Sequence, residues 1–527
     1  MKANGRLEGS KGVKQGRIVM DILAEFTMRG LEVLSTAFIL AVGLAVLAVI
    51  VMFAIDSSQS RDAIRHNYPV IGRFRDLFTR LGEFFRQYFF ALDREEMPFN
   101  RAERDWIYAS AKGANNTRPF GSTRNLTLVG CPIFINTAFP RLDEEASDPP
   151  AVEFGPYTPN PYRAASLINV SAMSYGSLSK PAIQALSHGA RLAGCYLNTG
   201  EGGLAPYHLE GGCDVVFQMG TAKYGCRDEA GLLDDDKLAK LAAHPQVKMI
   251  EVKLAQGAKP GKGGILPGVK VTEEIAEIRH IPVGLPSISP NRHPEIDNVE
   301  ELLDFIERAR RVSKLPTGFK TVLGAYGWVD ELCDAIERRG VESAPDFITL
   351  DGGDGGTGAA PMSLMDNVGL PLKQALPMLT DILERRGLRE RIKVIASGKL
   401  VTPAEVAWAY CAGADVVNTA RGFMFSIGCI QAMRCHTNNC PTGVTTHKKH
   451  LQGGLDPTLK SVRAANYVDK MRKDVAMIAH SCGAPHARAL KPFHVRIQQA
   501  DGTSVPLDEL LAKRRPKAPH EYKSTAS

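Results

Sequence analysis

The stretch DFITLDGGDGGTGAAP (346–361) places a short apolar run directly before a glycine-rich turn. The same order recurs in KVIASGKL (393–400) and in DVVNTARGF (415–423). Towards the N-terminus, further apolar runs have the length of a strand: LINVS (167–171), VVF (215–217), MIEVKL (249–254), IPVG (281–284) and FKTVLG (319–324). Helical stretches separate several of these runs. About eight strands alternating with helices favour an α/β fold, a (β/α)8 TIM barrel, over an open doubly wound sheet.

Two helix starts between these strands carry strong capping signals. Ser179 precedes KPAIQALSHGARLAG, which has Pro181 in its first turn, and Thr402 and Glu405 bracket the capping box TPAE. The stretch VEELLDFIERARRV (299–312) is amphipathic at helical spacing. We therefore place a barrel domain over 166–482 and a C-terminal extension over 483–527, whose end, KRRPKAPHEYKSTAS, has the composition of a disordered tail.

The N-terminal part of the chain contains an apolar segment of membrane length. Ser35 to Ile55 is a run of 21 residues without charge, and at ~1.5 Å rise per residue such a helix spans a ~30 Å hydrocarbon core. The run is too long and starts too late for a cleaved signal peptide, and a buried core helix is the alternative. We assign a basic extension to 1–30, a transmembrane helix to 31–56, and an amphipathic helix with a loop-rich region to 57–165.

The composition of the whole chain is that of an ordinary globular protein. Hydrophobic residues make up 44% of the 527 residues and charged residues 23%. The net charge of +7 is small for this length, and much of the basic excess lies near the termini. Because no nucleic-acid-binding motif accompanies it, a nucleic-acid partner is excluded. Most of the ten cysteines are scattered without a disulfide pattern, as expected of a cytosolic protein.

Three cysteines, by contrast, stand close together. Cys429, Cys435 and Cys440 lie in GCIQAMRCHTNNCPTG (428–443), a C-x5-C-x4-C run that ends in Cys-Pro. Three thiolates match the count of a three-iron cluster, although the spacing is neither of the common ferredoxin patterns. Buried thiols or a zinc site are the alternatives from spacing alone. The cysteine-rich segment 429–440 is therefore a candidate iron–sulfur cluster loop.

Polar residues that end predicted strands, or that lie in glycine-rich and loop segments elsewhere in the predicted barrel, are candidates for an active site, because barrel active sites are built at strand ends. A lysine that ends an apolar strand is costly to bury without a partner, and an arginine can bind a carboxylate through two parallel hydrogen bonds. An ordinary turn or surface position is the alternative for each of them. The candidates are Glu201, Gln218, Lys253, Gln256, Lys259 and Arg279.

The three late glycine-rich turns predict a phosphate site. In (β/α)8 barrels, phosphate groups bind at the loops after the seventh and eighth strands, where glycine lets backbone N–H groups approach. A tight turn is the alternative at any one loop, but three such loops in order favour a phosphate-bearing cofactor. No G-x-G-x-x-G opens a helix after a first strand, which disfavours a Rossmann dinucleotide site.

Five motifs, taken in order, resemble the flavin domain of glutamate synthase. They are SAMSYGSLS (171–179), NTGEGG (198–203), EVKLAQGAKPGKGG (251–264), DGGDGGTGAAP (351–361) and CIQAMRCHTNNCPTGV (429–444). Residues 60–160 look like the N-terminal part of a membrane-anchored, stand-alone subgroup. The resemblance implies a barrel that holds FMN beside a 3Fe-4S cluster. It also implies reduction of 2-iminoglutarate, formed from 2-oxoglutarate and ammonia, to L-glutamate by hydride transfer from the reduced flavin.

The resemblance also assigns roles by position. The flavin would be wrapped by Ala172, Met173 and Ser174, and its ring would contact Gln218 and Lys253. Its phosphate would be held by Gly355, Gly356, Gly398, Ala420 and Arg421. The cluster would be bound by Cys429, Cys435 and Cys440. The dicarboxylate would face Gln256, Lys259 and Arg279, with Glu201 as an active-site acid.

The chain departs from full-length glutamate synthase at both ends. It has Lys2 where an amidotransferase domain would begin with a cysteine, and the part after the cluster segment is too short for the β-helical domain. The nitrogen donor is thus expected to be ammonia, another amine or the product of a separate amidotransferase subunit. With no NADPH motif visible, electrons are expected from a ferredoxin or a separate reductase subunit. Since clusters are most simply assembled in the cytosol, we expect a single-pass membrane protein whose catalytic domain is cytoplasmic.

Other functions remain open on the sequence. One is synthesis of an N-substituted glutamate, such as N-methylglutamate from methylamine. Another FMN barrel enzyme, such as a 2-hydroxy-acid oxidase, is disfavoured by the three cysteines. A membrane-tethered flavin and iron–sulfur electron-transfer protein would need neither Lys259 nor Arg279. Their presence favours an enzyme, an oxidoreductase acting on CH–NH2 donors.

Overall fold

The computed structural model describes residues 8–514 and divides the chain into two compact units, 1–96 and 97–527. From residue 515 on, the predicted disordered tail lies outside the described residues.

The N-terminal unit is helical. A single helix, α1 (Glu8–Ser58), runs for 51 residues. It is followed by α2 (Ala63–Asn67), α3 (Gly72–Phe85) and a π-helical turn (Arg86–Phe90). The basic extension predicted over 1–30 is therefore, from Glu8 on, part of the helix, since no proline interrupts that stretch. In the described part of the chain, one segment, Met20–Ser58, is long and apolar enough to cross a membrane, a test that a signal sequence would also pass.

Eight parallel strands of the second unit close into a barrel, which confirms the predicted fold class. Around the barrel the order is β4-β5-β6-β7-β10-β11-β12-β13, and β13 pairs with β4. The strands are β1 (Pro132–Phe134), β2 (Val152–Phe154), β3 (Tyr162–Ala164), β4 (Ile168–Val170), β5 (Leu197–Asn198), β6 (Val215–Met219), β7 (Val247–Lys253), β8 (Ile265–Leu266), β9 (Ser287–Ile288), β10 (Thr317–Thr321), β11 (Phe347–Asp351), β12 (Lys393–Ser397), β13 (Val416–Thr419), β14 (Val495–Gln498) and β15 (Ser504–Pro506).

Helices follow the barrel strands and bury their apolar sides. They are α4 (Arg101–Ala111), α5 (Lys180–Ala193), α6 (Pro206–Leu209), α7 (Asp235–Ala242), α8 (Glu273–Arg279), α9 (Val299–Ser313), α10 (Gly327–Arg339), α11 (Met362–Met365), α12 (Leu372–Arg385), α13 (Pro403–Cys411), α14 (Arg421–Ser426), α15 (Lys449–Gln452), α16 (Pro457–Ser481) and α17 (Leu507–Arg514). The two predicted caps are confirmed. The Ser179 hydroxyl accepts from the Ala182 amide, and Glu405 accepts from the Thr402 amide at 3.0 Å.

One of the eight predicted barrel strands is wrong, and one barrel strand was missed. IPVG (281–284) is an exposed turn that follows the left-handed His280 at the end of α8. A barrel strand must be buried on both faces, and Val283 is exposed. The missed strand is β5, whose two residues are too few to form an apolar run.

Aromatic side chains close the amino end of the barrel. Phe154, from the β2–β3 hairpin, packs edge-on against Phe347 at the start of β11, with ring centroids 5.7 Å apart. The same cluster contains Tyr196, just before β5, and Val416, the first residue of β13. With this end filled, the opposite, carboxyl end of the strands is where a ligand can enter.

Candidate active site

A cleft with an empty volume of about 1030 Å³, open solvent included, lies at the carboxyl end of the barrel. Each barrel strand contributes to it at or shortly after its end. The cleft brings together most of the residues predicted from the sequence. Those lining it are Ala172, Met173, Ser174, Glu201, Gln218, Gln256, Lys259, Gly356, Gly398, Ala420, Arg421 and Cys435.

We call Glu201, Lys253, Lys259 and Arg279 the charged wall: Glu201 and Lys259 line one side of the cleft, and Lys253 and Arg279 lie next to Glu201 without lining the cleft themselves. Lys253 Nζ lies 2.8 Å from Glu201 Oε1 and also donates to the side chain of Gln256. Burial acts to raise the pKa of Glu201, but Lys253 and Lys259 outweigh it and lower the pKa to about 2. Glu201 is therefore ionised at neutral pH.

The other two cations of the charged wall are buried. Lys259 is 2% exposed, and burial lowers its pKa to about 8 although Glu201 acts in the opposite direction. Arg279 is 4% exposed and lines a smaller cavity beside the cleft, together with Glu201 and Ser289. Its Nη2 donates to the Tyr175 carbonyl at 3.0 Å, while its Nε has no hydrogen-bond partner among the described residues. A buried donor without a partner indicates a ligand or ordered water at that place.

The opposite side, the glycine wall, consists of Gly356, Gly358, Gly398 and Ala420. Gly398 has φ +128°, and a Cβ there would lie 3.0 Å from the Gly352 amide nitrogen. At Gly356 a Cβ would meet Arg421 Nε at 3.1 Å, and the same guanidinium donates through Nη2 to the Thr357 carbonyl. Gly355 does not line the cleft. A Cβ there would lie 2.8 Å from Asp351 Oδ1, so packing against β11 requires this glycine.

Between the walls lies the loop Ala172–Ser174. The Met173 amide donates to the Asn198 carbonyl at 3.0 Å, which pins the loop to the end of β5. Gln218 reaches the cleft from β6, and its amide group donates to Glu251 Oε1 at 2.7 Å. Glu251 is buried at the centre of the barrel, where Asn198 and Thr349 also donate to it. These bonds leave little freedom in the floor of the cleft.

The cysteine-rich loop lies next to the glycine wall. Cys429 and Cys440 are buried and Cys435 is half-buried. Arg421 Nη1 approaches the Cys435 sulfur at 3.9 Å, and Lys270 Nζ donates to the Cys435 carbonyl at 3.3 Å. Lys270 also donates to the Ser177 carbonyl, so it joins the loop after β4 to the cysteine-rich loop.

The three thiols are not arranged for a single metal ion. Among the residues that the structure describes, no group of three or more His, Cys, Asp or Glu side chains could hold one ion. In a cluster each thiolate binds its own iron, so the sulfurs lie farther apart than around one zinc. Burial raises the pKa of Cys429 to about 11, whereas at Cys440 burial is outweighed by hydrogen bonds from Thr442 and Thr445 that lower its pKa.

Sequence reasoning missed three histidines around the cleft, the buried His208 and His293 and the half-buried His447, whose ring nitrogens contact carbonyl groups. His208 Nε2 donates to the Met173 carbonyl at 2.9 Å, a tautomer set by the Ala205 amide, which donates to its Nδ1. His447 and His293 contact the carbonyls of Gly176 and Lys253 in the same way. Burial lowers the pKa of all three to about 4. Isolated histidines in loops carry no spacing signal, so only the fold reveals them.

Residues 140–485 match the conserved region in glutamate synthase. A glutamate synthase large subunit-like protein of Bacillus subtilis, YerD, is 39% identical over 495 residues, covering 86% of this chain and 94% of YerD. An archaeal-type glutamate synthase (NADPH) of Thermotoga maritima is 34% identical over 324 residues, 61% of this chain and 60% of the relative.

Among solved structures, the flavin-binding domain of baker's yeast flavocytochrome b2 aligns with a TM-score of 0.43 and 16% identity, covering 81% of this chain and 86% of that domain. The chain thus spans nearly all of YerD but about three fifths of the archaeal-type relative. The family match covers most of the barrel unit, including all eight barrel strands and the cysteine-rich loop. On these grounds the chain belongs to the glutamate synthase family of oxidoreductases.

Proposed function

We propose that this chain binds FMN and reduces 2-iminoglutarate, formed from 2-oxoglutarate and ammonia, to L-glutamate. The observation that carries the proposal is the pairing of the two walls in one cleft. A glycine wall suits a phosphate-bearing cofactor, and a charged wall with more cations than carboxylates suits an anionic substrate.

The glycine wall supports FMN as the cofactor. Backbone can approach a phosphate closely at Gly356 and Gly398, where side chains would collide with their neighbours. Arg421 lies beside this wall and supplies a positive charge. Ala172, Met173, Ser174 and Gln218 line the cleft and would contact the flavin ring. FMN, when bound, supplies the hydride that reduces the imine.

The charged wall supports a dicarboxylate as the substrate. Lys253, Lys259 and Arg279 face one carboxylate, Glu201, so the wall has an excess of two positive charges. A dicarboxylate would neutralise that excess, and the Arg279 Nε–H would gain an acceptor. Lys259, with a pKa near 8, can hold a carboxylate as an ammonium ion at neutral pH.

Glu201 does not suit the role of active-site acid that the resemblance implies. Because its pKa is about 2, it is an ion that fixes Lys253 rather than a proton donor. Gln256 bridges the two walls, since it accepts from Lys253 and donates to the Thr357 hydroxyl at 2.8 Å. These contacts orient the lysine.

We further propose that Cys429, Cys435 and Cys440 hold a 3Fe-4S cluster that passes electrons from a ferredoxin or a reductase subunit. The contacts of Arg421 and Lys270 place positive charge beside Cys435, which suits a site that must carry several thiolates. The apolar helix Met20–Ser58 supports a single-pass membrane location. A catalytic unit in the cytoplasm agrees with the cluster and with ten free cysteines.

Anaerobic turnover tests this function. The full chain in detergent, with chemically reduced ferredoxin and 2-oxoglutarate, should form glutamate with ammonia as the amine. A panel with methylamine and other amines measures the preference, since N-methylglutamate as the main product would identify the N-substituted alternative. Flavin that is reduced and reoxidised without amination of any substrate would instead identify an electron-transfer protein.

A further inference from the structure

A strip of apolar side chains follows one face of α3 and continues into the π-helical turn. Its residues recur at helical spacing, and each is between 38% and 74% exposed. The members of this aromatic strip are Phe74, Leu77, Phe78, Leu81, Phe85 and Phe89. A contiguous apolar surface of this kind marks a site of interaction.

Basic residues accompany the aromatic strip. Residues 61–90 contain six arginines against three carboxylates. Of these arginines, Arg75 and Arg80 are exposed on α3 itself. An amphipathic helix with aromatic residues on one side and arginine on the other lies in the plane of a membrane surface and prefers anionic lipid.

A buried carboxylate joins α3 to the end of the apolar helix. Asp56, in the last turn of α1, is 1% exposed and accepts from Arg73 Nε at 2.8 Å and from Arg73 Nη2 at 2.7 Å. The Val70 amide donates to the same carboxylate at 3.0 Å. A bidentate pair of this kind fixes the position of the first turn of α3. The aromatic strip therefore begins where the candidate span ends.

We propose that the aromatic strip lies in the headgroup region of a bilayer that contains anionic phospholipid, as a second attachment beside the span. This proposal rests on the membrane location proposed above. The strip supplies the apolar contact and the arginines supply attraction to lipid phosphate. A helix that spans the bilayer and has Asp56 in its last turn brings α3 to that depth, which favours lipid over a second copy of the chain.

Fluorescence of a tryptophan introduced into the full chain tests the proposal. Phe78→Trp places the probe in the strip, and Leu47→Trp places a reference probe in the apolar helix. Each variant is reconstituted into vesicles of phosphatidylcholine alone or mixed with phosphatidylglycerol, with bromine at a shallow or a deep acyl position. Signal from the native tryptophans is subtracted with the wild-type chain.

We expect the Phe78→Trp probe to be quenched at least twofold more by shallow than by deep bromine. We also expect stronger quenching with phosphatidylglycerol than without it, and loss of that difference in Arg75→Gln/Arg80→Gln. An unquenched probe at position 78 beside a quenched probe at 47 would overturn the proposal, because the strip would then pack on protein. Equal quenching in both lipids would overturn the requirement for anionic lipid.

The reference probe separates this proposal from the proposed span. If the Leu47→Trp probe escapes quenching while the Phe78→Trp probe is quenched, the span is wrong and the surface attachment stands. If neither is quenched, both proposals are wrong.

Discussion

The wall of the cleft that follows β11, β12 and β13 presents glycine and backbone, whereas the wall that follows β5 and β7 presents buried charged side chains. Gly356 and Gly398 have no side chain, and a Cβ would lie 3.1 Å from Arg421 Nε at the first position and 3.0 Å from the Gly352 amide nitrogen at the second. Lys259 and Arg279, by contrast, each carry a positive charge on a side chain that is buried from water. Substitutions in the two walls should therefore have different effects. A substitution in the glycine wall should prevent cofactor binding. A substitution in the charged wall should weaken substrate binding and leave the cofactor bound.

The largest effect is expected at Gly398. Its φ of +128° disfavours any L side chain, and a methyl group would press on the Gly352 amide. Gly398→Ala should therefore abolish FMN binding, measured as flavin absorbance per purified chain. Gly454→Ala is the matched control, because nothing lies within 4 Å of a Cβ there. Full flavin in the Gly398 variant would show that the glycine wall does not hold the phosphate.

Loss of one thiol in the cysteine-rich loop should remove the cluster without affecting either wall of the cleft. Cys435→Ser should remove the iron and leave FMN bound, since the barrel strands do not include this residue. Metal analysis and flavin absorbance on anaerobically purified protein measure the two quantities. Cys333→Ser, at a buried cysteine in α10, is the control and should keep its iron. Wild-type protein that carries zinc and no iron would contradict the cluster.

A smaller effect is expected in the charged wall. Arg279→Lys replaces a planar fork by a point charge, and kcat/KM for 2-oxoglutarate should fall at least tenfold, equivalent to ~1.4 kcal/mol. The flavin spectrum should not change. Arg227→Lys is the control, because Arg227 stacks on the same Tyr224 ring, 5.0 Å against 5.2 Å for Arg279, but does not line the smaller cavity that Arg279 lines beside the cleft. Normal kinetics in the Arg279 variant would place the substrate elsewhere.

Local sequence patterns predicted the glycine wall well and the charged wall only in part. Each glycine loop directly follows its own strand, so one short stretch of sequence indicates both the strand and the residues that line the cleft after it. The charged wall depends on contacts between distant residues, such as Lys253 with Glu201 and Arg279 with the Tyr175 carbonyl. A sequence shows that such residues exist but not that they meet. The strand β5 was missed for a related reason, since its burial comes from its neighbours in the barrel rather than from its own two residues.

Lys270 was missed in the same way. Because it joins the loop after β4 to the cysteine-rich loop, its substitution tests whether its charge affects a bound cluster. Its ammonium group lies beside the Cys435 carbonyl and the Ser177 carbonyl. Positive charge there should stabilise the reduced form of a bound cluster. Lys270→Met should lower the cluster's reduction potential by on the order of tens of millivolts, whereas Lys270→Arg should keep it. A potentiometric titration followed by electron paramagnetic resonance measures both, and an unchanged potential in the methionine variant would leave Lys270 a structural bridge.

The smallest effect concerns the free energy of unfolding. It should depend on pH through the three histidines that contact carbonyl groups of the charged wall and of the loop after β4. In the folded protein, burial lowers the pKa of His208, His293 and His447 to about 4, below the value of about 6.5 expected when unfolded. Each is neutral when folded, so the stabilisation is complete above pH 6.5 and is lost as the pH falls towards 4, because the unfolded chain takes up the proton first.

As the pH falls from 6.5 to 5.5, each histidine should lower the free energy of unfolding by roughly 1 kcal/mol. The native tryptophans, all in the barrel unit, report the urea midpoint. His208→Gln can keep both hydrogen bonds without titrating, so its unfolding free energy should depend less on pH than that of the wild type. An equal dependence in both proteins would mean that the His208 imidazole is already accessible to protons in the folded state. The contact with the Met173 carbonyl would then not hold the loop between the two walls.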